Sequence, residues 1–151
     1  MYFMWLTDDQ QGLWRNYLAM TARLQMAMSR QLQRDCGLSL ADYDVMVALD
    51  ERPGCRIGEL GARLGWEQSR LSHQLGRMRA RGLIARDRAA DDRRAATIDL
   101  SDAGRAALAA AAPGHAELVH DLVFDDLRPA ELRALSRWTA GVLGRLTEMQ
   151  D

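Results

Sequence analysis

Residues 57–100 read IGELGARLGWEQSRLSHQLGRMRARGLIARDRAADDRRAATIDL, and the order of signals within them decides the fold. Ile57, Leu60, Gly61 and Leu64 fall on one face of a short helix. Gly65-Trp66-Glu67 makes a turn, and Leu71, Leu75 and Met78 give the inward side of a second helix, Gln68 to Arg81, capped by Gly82. Two short helices joined by a three-residue turn containing glycine form a helix-turn-helix. Leu83 to Arg88 and Ala95 to Leu100 follow as short strands with Ile84, Ile98 and Leu100 apolar, joined by Ala89 to Arg94 in a β-ribbon.

With Leu71, Leu75 and Met78 inward, the second helix keeps Gln68, Ser69, Arg70, Ser72, His73, Gln74 and Arg77 at outward or flanking positions. Such side chains read base edges: arginine pairs with guanine and glutamine with adenine, each good bidentate pair giving about 1–3 kcal/mol of discrimination. A helix roughly 10–12 Å across fits the major groove. The ribbon tip carries Asp91-Asp92-Arg93-Arg94. A thin tip enters the narrow minor groove, where an arginine senses charge and shape more than sequence. The carboxylate of Asp92 can hold the Arg94 guanidinium fork to fork and set its direction.

Around this unit lie helices. Leu13, Tyr17, Met20, Leu24, Met28 and Leu32 recur at steps of three and four between Asp9 and Asp35, and Gly37 ends that helix. Ser39 precedes another, with Leu40, Tyr43, Met46, Val47 and Asp50 on one side, stopped by Arg52-Pro53-Gly54. Ser101 caps the helix after the ribbon, with Asp102 in its first turn, and Pro113-Gly114 predicts a kink or break in it. Pro129 opens the last helix, in which Leu132, Leu135, Trp138, Thr139, Val142, Leu143 and Leu146 make a broad apolar stripe. The expected fold is mainly α, a winged helix-turn-helix of about six helices with a two- to three-stranded wing. Residues 38–101 form its DNA-binding domain, and residues 1–37 and 102–151 a helical dimerisation region. The wide terminal stripes predict a homodimer, the alternative being that the terminal helices cover each other.

Composition agrees. The 151 residues carry a net charge of −1, yet residues 52–94 hold 11 arginines against five acidic residues while the remainder is acidic. A basic centre between acidic ends is the electrostatic footprint of a nucleic-acid face. All 20 basic residues are arginine, a uniform bias that makes position more informative than count. No long apolar run and no basic leader occur, which points to a cytoplasmic protein with no membrane partner. Cys36 and Cys55 lack metal-ligand spacing. No catalytic motif occurs and the three histidines are scattered, so neither enzyme activity, cofactor nor metal is expected.

The chain resembles the winged-helix transcription regulators of the MarR (multiple antibiotic resistance regulator) family. The likeness runs through LSLADYDVMVAL at 38–49 and the 57–100 stretch, and is sharpest in RMRARGLIAR at 77–86, in Asp92-Arg93-Arg94, and in Leu100-Ser101-Asp102-Ala103-Gly104. It implies an obligate homodimer on a palindromic double-stranded operator, repression of adjacent genes, and release by a small phenolic or other aromatic effector. It makes Arg94 the minor-groove arginine and Asp92 its orienting partner. Glu67 stands where a serine or threonine commonly caps the recognition helix, and is the poorer cap.

Effector pockets in that family lie between the dimer helices and the winged domain, which makes Trp14, Tyr17, Met20, Met46, Trp66, His115 and His120 the candidate lining here. The same residues at helical spacing also suit ordinary core. Two other readings stand beside the DNA-binding repressor. One is a regulator that senses oxidants through cysteine, although neither Cys36 nor Cys55 lies near the start of the first helix where the family's sensing cysteine lies. The other is a winged helix that binds proteins rather than DNA, for which paired tip arginines would serve no purpose.

Overall fold

The computed structural model describes residues 5–87 and 96–149. Met1–His115 and Ala116–Asp151 form two compact units. The first begins with α1 (Asp8–Cys36), opened by a Thr7/Gln10 capping box and closed by Gly37 in the left-handed conformation at φ 64°. α2 (Leu40–Glu51) opens with the same device: Ser39 Oγ accepts from the Asp42 N–H, and the Asp42 carboxylate accepts from the Ser39 N–H. The two-residue strand β1 (Cys55–Arg56) leads into α3 (Ile57–Leu64), α4 (Gln68–Ala80), β2 (Ile84–Asp87), β3 (Thr97–Leu100) and α5 (Asp102–Val119).

The sheet has the order β1-β3-β2, antiparallel throughout. Ile84 pairs with Leu100 and Cys55 with Ile98. These apolar strand residues join Leu60 of α3, Leu71, Leu75 and Met78 of α4, and Val45, Met46 and Leu49 of α2 in one core. Leu32 and Leu38 close it from the end of α1. On α2 the buried row is Asp42, Val45, Met46, Ala48 and Leu49; Asp50, placed on one side with Leu40, Tyr43, Met46 and Val47 by spacing, is exposed.

α5 starts where Ser101 Oγ accepts the Gly104 N–H at 3.0 Å and donates to the Gly82 carbonyl at 2.5 Å. The Ser101 N–H donates to the Leu83 carbonyl at 3.1 Å, so the end of α4 and the start of α5 are fastened together. Gly104 packs against the Leu83 backbone so closely that a Cβ there would overlap the Leu83 carbonyl oxygen. The expected break at Pro113 does not occur: α5 continues through it, because a missing N–H removes one bond of the ladder without cutting its neighbours.

In the second unit the irregularity is a single π-helical turn, His120–Phe124, in which the Asp125 N–H reaches the His120 carbonyl at 2.9 Å. α6 (Pro129–Glu148) follows, with proline in its first turn and the Arg128 N–H donating to Glu131. Large apolar side chains stand exposed on α6, among them Leu132, Leu135, Leu143 and Leu146. Leu13, Trp14, Leu18, Met20 and Met26 do so on α1 in the first unit.

Candidate nucleic-acid interface

The turn between α3 and α4 is built by glycine. Gly65 sits at φ 64°, and the Trp66 N–H folds back to the Gly61 carbonyl at 3.0 Å. Glu67 takes the N-cap of α4 without a side-chain capping bond, as its residue type foretells. Leu71, Leu75 and Met78 are buried as the spacing requires, and Gln68, Ser69, Arg70, Ser72, His73 and Arg77 are exposed. Ser72, His73, Gly76, Arg77 and Ala80 line an open concavity along the outward face. Arg70 lies over the Trp66 ring, 4.1 Å from its centroid, a cation–π contact that shields one face of the guanidinium.

Gln74 departs from the expected base-reading set. It is 2% exposed, because Leu71, Gln74, Leu75 and Met78 together form the i, i+3, i+4, i+7 face that enters the core. Its Nε2 donates to Asp42 Oδ1 at 2.5 Å, and its Oε1 accepts from Arg77 Nη2 at 2.6 Å. Asp42 Oδ2 also accepts from Arg81 Nη1 at 2.7 Å, and Arg81 Nη2 donates to the Gly37 carbonyl at 2.8 Å. Burial acts to raise the Asp42 pKa, but the Ser39 N–H and the Arg81 guanidinium outweigh it and hold the carboxyl below its ordinary value. Sequence reasoning passed over Asp42 and Arg81; the Ser39-x-x-Asp42 spacing was the available signal for the first.

The wing residues Asp92, Arg93 and Arg94 lie outside the described residues, as does the whole expected tip, 89–94. β2 and β3 bring the chain to either side of it.

Six of the seven candidate effector-lining residues belong to the first unit, where they lie in separate places. Trp14 and Tyr17 stack, centroids 5.7 Å apart, with Met20 exposed one turn on. Met46 is fully buried in the core that Leu32 closes. From Tyr17 to Leu32 the rise of α1 amounts to about 22 Å, so the first three and Met46 belong to different places. Trp66 serves as the platform for Arg70. His115 of α5 packs on Tyr43 with centroids 4.3 Å apart and has Nδ1 3.4 Å from Gln31 Oε1; burial draws its pKa below the ordinary value, against the pull of the Asp44 carboxylate. His120 is exposed in the π-helical turn of the second unit.

Cys36 and Cys55 are free thiols, and burial pushes the Cys55 pKa up, which favours its unreactive neutral form. Among the described residues no cluster of three or more histidine, cysteine or acidic groups could hold a metal ion, and no helix is long and apolar enough to cross a membrane.

A model of the MarR family matches residues 37–95, the α2-to-wing segment. The crystal structure of AbsC, a MarR family transcriptional regulator from Streptomyces coelicolor, is 32% identical with a TM-score of 0.88, covering 95% of this chain and 98% of that one. The chain belongs to the MarR family. A second MarR family transcriptional regulator from the same organism, Sco3205, was crystallised in complex with DNA; it is 34% identical with a TM-score of 0.88, covering 94% of this chain and 90% of that one. BldR from Sulfolobus solfataricus, 22% identical over 94% of this chain and 99% of that one, shares the fold with a TM-score of 0.78. A search of curated protein sequences finds no match. MarR membership makes the protein a transcriptional regulator with a winged helix-turn-helix, as the order of elements from α3 to β3 indicated.

Proposed function

We propose that this MarR-family chain binds a palindromic operator in double-stranded DNA as a homodimer, with α4 in the major groove and the 89–94 wing in the minor groove. The observation that carries the reading is the outward row Gln68, Ser69, Arg70, Ser72, His73 and Arg77 on a helix whose other side is anchored in the core. The arginine excess of residues 52–94 supports it, as does the DNA complex of Sco3205. Residues 38–101 act as the reading domain, and 1–37 with 102–151 as the dimerisation region. The exposed apolar side chains of α1 and α6 support that division, since stripes of this kind are normally covered by a partner. Repression of neighbouring genes in the cytoplasm, with release by a small aromatic effector, completes the reading by resemblance to the family.

The test is binding to duplex DNA over a series of salt concentrations. A regulator of this kind shows a steep negative dependence of log affinity on log salt, and Arg94→Ala weakens binding to selected and unrelated duplexes alike, lowering the slope by about one. Half-sites recovered by selection should lie about 10–10.5 bp apart centre to centre, or a multiple of that. A flat salt dependence would point to the protein-binding winged helix instead.

A further inference from the structure

We propose that Gln74 and Asp42 are positioning residues for DNA reading: buried beneath α4, they set the direction of Arg77 on its outward face without touching the duplex. The inference rests on the DNA-binding reading of α4 given above.

A carboxylate only accepts hydrogen bonds, so the Asp42 Oδ1 contact requires the NH2 end of the Gln74 amide. The carbonyl end is thereby turned the other way, and there it takes the Arg77 guanidinium at 2.6 Å. A flipped amide would set two acceptors against each other at Asp42 and two donors against each other at Arg77. The orientation is therefore fixed by chemistry at both ends.

Asp42 has no freedom to swing. Its Oδ2 is held by the Ser39 N–H at 2.9 Å and by Arg81 at 2.7 Å, and Arg81 in turn holds the Gly37 carbonyl. The relay runs from the C-cap of α1 through Arg81, Asp42 and Gln74 to Arg77. Among the described residues no buried polar side-chain atom lacks a partner, those of this network included. An apolar side chain at position 74 would continue the Leu71–Leu75–Met78 face and spare the burial of an amide. What the amide supplies is direction: an arginine already held in one arrangement loses less freedom when it meets a base edge or a phosphate.

The experiment uses the full chain and two duplexes, one recovered from a random-sequence library by the unsubstituted protein and one unrelated. Gln74→Met, close in volume, should weaken binding to the selected duplex by about tenfold, the scale of one charge-assisted hydrogen bond. The double variant with Arg77→Ala should bind no more weakly than Arg77→Ala alone, because the two changes remove the same contact. A merely structural role for Gln74 would give losses that multiply. A second measurement needs no substitution: in 15N spectra of the unsubstituted protein, the Arg77 guanidinium should rotate more slowly than that of an exposed arginine such as Arg137. Parent-like affinity of Gln74→Met, multiplicative losses, or equally fast rotation overturns the positioning role alone. A parent that binds neither duplex overturns the DNA-binding reading and this inference with it.

Discussion

At Asp42 one carboxylate meets the N–H of its own helix cap, the amide of α4 and a guanidinium that reaches back to α1. Because the Ser39 cap and the Arg81 guanidinium hold its pKa down against the effect of burial, its contribution to stability is fully present above the ordinary carboxylate value of about 3.9 and is lost as pH falls through the lowered one. Asp42→Asn should accordingly cost about 1–3 kcal/mol near neutrality, and the difference from the unsubstituted protein should shrink as pH falls below about 4, measured by urea unfolding. Gly104 is constrained by space instead. Its Cα lies against the Leu83 carbonyl, so Gly104→Ala should destabilise the fold by about 1–3 kcal/mol, read as a lowered Tm, although alanine is the better helix former.

The helices and strands from the end of α1 to the start of α5 were legible because their signals are local: glycine at 37, 65 and 82, serine at 39 and 101, and apolar spacing between them. Two polar residues of the core went unrecognised in the sequence, and for one reason. On α2, Asp42 stands in the row with Val45, Met46 and Leu49; on α4, Gln74 stands in the row with Leu71, Leu75 and Met78. A polar residue on a core face breaks the apolar pattern, and these two are admitted because they bond each other, with Ser39, Arg81 and Arg77 taking their remaining atoms. The spacing places both inside; the chemistry of a single residue argues for outside, and only the pair resolves it. β1 escaped notice because two residues are too few to alternate. Pro113 misled in the opposite direction, since a strong local breaker was overridden by the helix around it. The effector residues were least legible: helical spacing brings Trp14, Tyr17 and Met20 to one stretch of α1 but says nothing about Met46, which the core takes.

For the molecule as a whole, the apolar faces of α1 and α6 carry the expectation of self-association. Leu13→Glu or Leu143→Glu changes a side chain that is exposed within one chain, so neither should lower the stability of the isolated subunit much. Each should weaken a dimer built on those faces by about 10- to 100-fold, and sedimentation velocity should show the shift to monomer. An unsubstituted protein that sediments as a monomer would remove the basis for a paired operator. The indole of Trp66 lies beneath the Arg70 guanidinium. A ring with a cation over it emits according to that charge, so drawing the guanidinium away to a nucleotide changes the fluorescence. With Trp5, Trp14 and Trp138 replaced by phenylalanine, the chain would report its own engagement optically, with no dye attached.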